Sequence, residues 1–178
     1  MSKSNSFVLT GLNIVAWIIF VGLCIEAGGL IVNFIFSLYK PEFVQNLFQK
    51  LDLSELYHRS KWAFFGMYSF VLIIAILKSY LFYILIRLLN KLDLSKPFNN
   101  YVSEQISQLS YYTLSIGILG YIAKETAQNL QHRGYEIDRL NQFWVDSQAF
   151  ILMAAVIYVV ATIFKKGIEL QNENDLTV

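Results

Sequence analysis

Apolar and polar positions along this chain are sorted into blocks rather than mixed. Residues 7–39 are apolar with one charged interruption, Glu26, and residues 62–89 are interrupted by Lys78 and Arg87. Residues 106–123 and 147–164 carry no charge at all. The hydrocarbon core of a bilayer takes about 20 mostly apolar residues per helix, and tilt accommodates more. The pattern predicts an all-α, integral membrane four-helix bundle forming a single domain, with spans at about 9–39, 62–89, 104–127 and 145–165. Ser107, Gln108 and Ser110 make the opening turns of the third span the least apolar of the set. A polar tail, 166–178, follows the fourth.

The connections carry patterns of their own. After Tyr39, Pro41 suits the first turn of a helix in which Phe43, Val44, Leu47, Phe48 and Leu51 share one face. Glu42, Gln45, Asn46, Gln49 and Lys50 lie opposite, so a short amphipathic helix is expected in this first outer loop. It can rest on the bilayer surface or pack across the mouth of the bundle. Between Lys124 and Asp146, Gly134 marks a break, and Ile137, Leu140 and Trp144 recur at helical spacing. That stretch reads as a helical extension or hairpin capping the outer face.

Composition agrees with the membrane reading. Of 178 residues, 56% are hydrophobic and 16% aromatic, more than a soluble domain of this size needs. A net charge of +1 gives no reason to expect direct nucleic-acid binding. Cys24 is the only cysteine, which excludes an internal disulfide and any thiolate metal cluster. The hydrophobicity of the first segment runs well past Cys24, and Leu23 is too large for a lipoprotein cleavage site. An uncleaved helix is therefore expected. An even number of spans places both termini on one side. With termini inside, six inner positive charges (Lys3, Arg87, Lys91, Lys96, Lys165 and Lys166) oppose seven outer ones. The inner charges sit in a short link and a short tail, where they bias topology most, so cytoplasmic termini are expected.

Lys96-Pro97-Phe98-Asn99-Asn100 is the tightest turn signal, with Pro97 holding Lys96 extended and Asn99 or Asn100 able to cap the next helix. A Pro-Phe pair leading into the third helix, coupled to a terminal Gly-x-x-Leu-Gln-x-Glu-Asn-Asp-Leu-Thr-Val, resembles the pattern of a bacterial four-helix membrane family, the DUF2975 proteins. The residues that carry the resemblance are Pro97, Phe98 and the stretch 167–178. The resemblance implies a bacterial cytoplasmic (inner) membrane location. It also implies a regulatory role beside a small Cro-like helix-turn-helix protein, with Pro97, Phe98, Leu170, Glu173, Asp175, Leu176 and Val178 as candidate partner-binding residues.

Local chemistry adds an argument for the tail. Ile168, Leu170, Leu176 and Val178 are apolar residues on a polar segment too short to build a core. They need a surface, either a partner's sheet edge or groove, or the chain's own Pro97-Phe98 link.

The other candidate site is intramembrane. Glu26 shares a narrow, small and polar face with Gly22, Gly29 and Asn33, at i−4, i+3 and i+7. A charge at mid-membrane costs about 2.5–3.5 kcal/mol, so Glu26 should be protonated, paired or wet. Lys78 is its one opposite within the spans, and the two either pair, fixing helix register or lining an ion path, or stay apart with Lys78 snorkelling. His58 and His132 lie on hydrophilic stretches, and no catalytic motif, phosphate-cradling loop or metal spacing occurs. No enzymatic activity and no cofactor are expected. The leading expectation is a membrane protein that senses or regulates. A small channel or transporter around Glu26, Asn33 and Lys78, or an accessory subunit of a membrane complex, are the alternatives. Expected partners are lipid, the soluble regulator and further copies of the chain.

Overall fold

The structure, a computed structural model, describes residues 3–40, 42, 44, 47, 51–94 and 97–175. All its regular elements are helices: α1 (Lys3–Tyr39), α2 (Ser54–Arg59), α3 (Lys61–Lys91), α4 (Asn100–His132), a 3₁₀ turn at Asp138–Phe143, and α5 (Ser147–Asp175). Proline is absent from every one of them, so nothing interrupts the backbone ladders. Ser60 caps α3 by accepting from the Ala63 amide at 3.3 Å, and Asn99 caps α4 by accepting from the Val102 amide at 2.9 Å. Gly134, at φ 80°, ends α4 as expected. Its amide bonds to the Gln131 carbonyl while the Tyr135 amide reaches back to Leu130, the paired bonds of a Schellman ending.

Each long helix packs on the one before it in the chain: α1 on α3, α3 on α4, α4 on α5. No comparable α1–α4, α1–α5 or α3–α5 packing occurs among the described residues. The long helices thus form an open, antiparallel row with α1 and α5 at its edges. Both edge helices leave large apolar side chains uncovered, among them Trp17, Ile18 and Ile25 on α1 and Leu152, Val156 and Ile163 on α5.

Cross-contacts fix the register of the row. Asn13 donates to Asn90 near the 92–99 link, and at the other end the Tyr68 hydroxyl donates to the Leu30 carbonyl at 3.1 Å. Phe34 stacks between these levels and the far end, 5.5 Å from Tyr68 and 5.8 Å from Phe65. Tyr80 meets Tyr112 edge to face at 4.8 Å. Ser110 donates to the Ala154 carbonyl at 3.0 Å.

The α4–α5 seam is built from small residues. Ser103, Ser110, Thr113, Gly117 and Gly120 are buried along α4, facing Ser147, Ala154 and Ala161 of α5. Backbones approach so closely that a Cβ added at Gly117 would lie 2.9 Å from the Ile151 amide nitrogen and 3.1 Å from the Ser147 carbonyl. These polar and small residues explain why α4 falls short of a span on hydropathy. Among the described residues, three helical stretches are long and apolar enough to cross a membrane: Phe7–Tyr39, Lys61–Lys91 and Asp138–Asn174.

The main core sits at the end opposite the link. Val44, Leu47, Leu51, Leu53 and Leu56 from the first long connection pack with Phe64, Tyr68, Ile137, Leu140 and Trp144. Val44, Leu47 and Leu51, three residues of the apolar face read in the first connection, are thus buried. The Leu47 amide donates to the Leu51 carbonyl and the Leu53 amide to the Val44 carbonyl. Pro41, Phe43, Gln45, Asn46, Phe48, Gln49 and Lys50 lie outside the described residues. Ile137, Leu140 and Trp144 do cap this end, all buried, as their spacing implied.

Candidate functional site

The link and the end of α5 form one junction. Pro97 and Phe98 lead into the Asn99 cap, and the Phe98 ring lies 5.4 Å from the Phe164 ring. The same ring lies over Gly167, where an added Cβ would come within 2.6 Å of it. Two segments far apart in sequence, both singled out by the family resemblance, therefore meet through Phe98 and Gly167. Lys96, the residue that Pro97 was expected to hold extended, lies outside the described residues.

The polar tail is helical at its root: α5 continues through Gly167 to Asp175. A glycine inside a helix costs about 1 kcal/mol relative to alanine, and here the Phe98 ring occupies the space a side chain would need. Good helix formers on either side, Lys166, Glu169, Leu170, Gln171 and Glu173, carry the helix on. The last ten residues of α5 reach about 15 Å past Lys165 at 1.5 Å per residue. Lys166 pairs with Glu169 one turn on, but both are well exposed and such a pair contributes little. Leu170 is 65% exposed and Glu173 is exposed, so this projection offers an acidic, partly apolar surface. Leu176 and Val178 lie outside the described residues, as does the side chain of Asp175.

Glu26, Asn33 and Lys78 are not brought together. Glu26 and Asn33 are half-buried on α1, and among the described residues no hydrogen bond or ion pair reaches either. Lys78 turns toward α5, its Nζ 5.7 Å from the centre of the Phe150 ring. It lines a cavity of about 10 Å³, room for one water, with Ile74, Gly120, Trp144, Asp146 and Ser147. Ser147 Oγ is buried there without a hydrogen-bond partner. Of the two arrangements the sequence left open, pairing or staying apart, no Glu26–Lys78 ion pair is present among the described residues, and Lys78 turns toward α5. Sequence spacing carried no information about which way Lys78 points around α3.

A feature the sequence reading passed over lies on the open side of α3 and α4. Tyr80, Gln108, Tyr111, Tyr112 and Ser115 line a shallow groove of about 460 Å³. Its signal was the recurrence of polar residues at 104, 108, 111 and 115, of which Gln108 alone had been read, with Ser107 and Ser110, as weakening the third span.

At the capped end, Arg59 ties the two connections together. It donates to the Gly134 and Arg133 carbonyls and lies 4.2 Å over the Tyr135 ring. Beside it Asp52, Glu55, Glu136, Asp138 and Arg139 line a cavity of about 250 Å³. Partial desolvation, and a hydrogen bond that the protonated Glu55 carboxyl donates to the Glu136 carboxylate, push Glu55 above its ordinary range. Asp52 is held below its own range, chiefly by the Ser54 hydroxyl and amide. Glu55 thus favours the protonated form in the folded state, and its contribution is lost as pH rises through its raised pKa. Asp52 acts in the opposite sense, losing its Ser54 bonds as pH falls. Mild acidification into the upper carboxylate range is expected to tighten the contact between α2 and the 133–139 turn. Amide exchange there should slow, and Glu55→Gln should abolish that slowing, leaving only the opposite dependence carried by Asp52. Among the described residues no cluster of His, Cys, Asp or Glu is arranged to hold a metal ion.

Comparison with known proteins gives one match. The family model described as "Protein of unknown function (DUF2975)" matches residues 46–178, from the first connection through the end of the chain. No curated protein and no solved structure matches. The matched region contains the link, the α4–α5 seam and the α5 projection, and it agrees with the resemblance carried by Pro97, Phe98 and the 167–178 stretch. On that match the chain belongs to the DUF2975 family.

Proposed function

We propose that this chain is a non-enzymatic protein of the bacterial cytoplasmic membrane, crossing it four times with both termini inside. On this reading it presents the α5 projection and the 91–100 link to a small cytoplasmic helix-turn-helix regulator. The observation that carries the reading is the seating of Phe98 on Gly167, which gives the projecting helix a fixed base beside the link. A helix held at its root and exposed beyond it suits recognition by a groove, with Leu170 as the apolar anchor and Glu169 and Glu173 as the charged rim. Transport along Glu26, Asn33 and Lys78 has no comparable support, because Lys78, on α3, turns toward Phe150 of α5 while Glu26 and Asn33 lie on α1.

The test is a photo-crosslinking residue at Glu173, used in native membranes. The expected product joins this chain to a small DNA-binding protein, and deletion of residues 174–178 should leave insertion intact while weakening that product. Crosslinks to lipid alone, or none with the chain inserted, would remove the regulatory reading.

A further inference from the structure

We propose that the open polar face of α4 is a self-association surface, on which the α4 of a second copy packs in parallel about a two-fold axis along the membrane normal. The inference rests on the membrane reading above and adds to it the partner for this face.

Glu104, Gln108, Tyr111, Ser115, Ile118 and Ile122 recur at the alternating four- and three-residue spacing of a helix–helix seam. Gln108 is half-covered and the other five are exposed. The remaining faces of α4 are taken by α3 and by the close seam with α5. The depth of the open face follows from that seam. Ser110 bonds to Ala154, and Gly117 lies against Ile151, so the 108–115 segment is level with the middle of the uncharged stretch of α5. At that depth lipid supplies no hydrogen bonds, and polar side chains are normally turned toward protein.

Their bonding within one copy is incomplete. The Gln108 amide reaches only Glu104, at 3.5 Å, and no hydrogen bond reaches the Tyr111 hydroxyl among the described residues. Ser115 is satisfied by the Tyr111 carbonyl at 2.9 Å, and its small side chain lets a second backbone come close. A second copy fits better than an unrelated helix because a glutamine amide and a tyrosine hydroxyl each donate and accept. Such groups satisfy their own images across a two-fold axis, as an isologous contact requires. The groove beside Tyr80 and Tyr112 opens on the same face and receives the ridge formed by the partner's aromatic side chain. Glu104 falls at the link end, where water and salt screen it from its image.

The test uses full-length chain with Cys24→Ser and Ser115→Cys, oxidised in membrane vesicles, with insertion checked by resistance to alkaline extraction. A disulfide-linked dimer is expected, whereas native Cys24, exposed on α1, should give none. In a fluorescence-transfer dilution series, Gln108→Leu should reduce association at least tenfold while inserting as well as the parent, being more apolar. Tyr111→Phe, which removes only a hydroxyl, should weaken association in the same direction. An inserted chain that stays monomeric at every protein-to-lipid ratio would overturn the proposal, leaving lipid as the cover. Crosslinking of position 115 to a different protein would overturn it equally. A wild-type chain extracted by alkali would instead overturn the membrane reading on which it rests.

Discussion

Gly117→Leu is expected to separate α4 from α5 and to be the most damaging single change in the chain. Even a Cβ at this position meets Ile151 Cγ1 at 2.7 Å and the α5 backbone at 2.9 Å and 3.1 Å. A side-chain tip can swing away, but a helix backbone cannot move without displacing the whole of α5. Overpacking of a well-filled site typically costs about 1–3 kcal/mol, and leucine against backbone should lie at or above the top of that range. The Ser110–Ala154 hydrogen bond and the burial of Ala161 depend on the same separation. The loss should appear as a fall in the unfolding midpoint in detergent. Exposure of engineered cysteines at 154 and 161 should accompany it. Gly28→Leu is the contrasting control, since nothing lies within 4 Å of a Cβ at Gly28, and it should be nearly silent.

Gly167→Leu should act on the link rather than on the seam. The new side chain competes with the Phe98 ring for one place, so the ring is expelled and the 92–99 link loses its seat. Phe98 is already 39% exposed, so its displacement should cost less than the Gly117 change, about 1–3 kcal/mol. Proteolysis in the link should accelerate while α4–α5 pairing is retained. The double variant Phe98→Ala with Gly167→Leu should recover part of the loss, because the leucine then fills the space the ring has left. Strict additivity of the two changes would show that the contact contributes nothing.

How much of this was legible in the sequence depended on which interaction decided each element. Apolar blocks without proline identified α1, α3 and α5, because a stretch apolar and long enough to span a membrane satisfies its backbone internally most readily as a helix. The caps were equally readable, since Asn99 and Gly134 act through local geometry. The ending of α5 was not, because Gly167 stops a helix by local rule and is retained in one here by a ring from residue 98. Nor could spacing along α3 show that Lys78 faces Phe150 rather than Glu26, since rotation about a helix axis is set by packing. The groove on α4 was missed for a related reason. Gln108 and Ser115 lower the hydropathy of the segment, and hydropathy alone does not distinguish a polar helix outside the bilayer from one covered by neighbouring protein.

That distinction is the centre of the account, because the proposed topology stands or falls on whether α4 crosses the membrane. It is measured most directly by impermeant thiol labelling of single cysteines at positions 136 and 173 in a Cys24→Ser chain, in sealed membranes and after opening them. The account predicts that position 136 is labelled from outside and position 173 only once the membrane is opened. Labelling of both from the same side would contradict it.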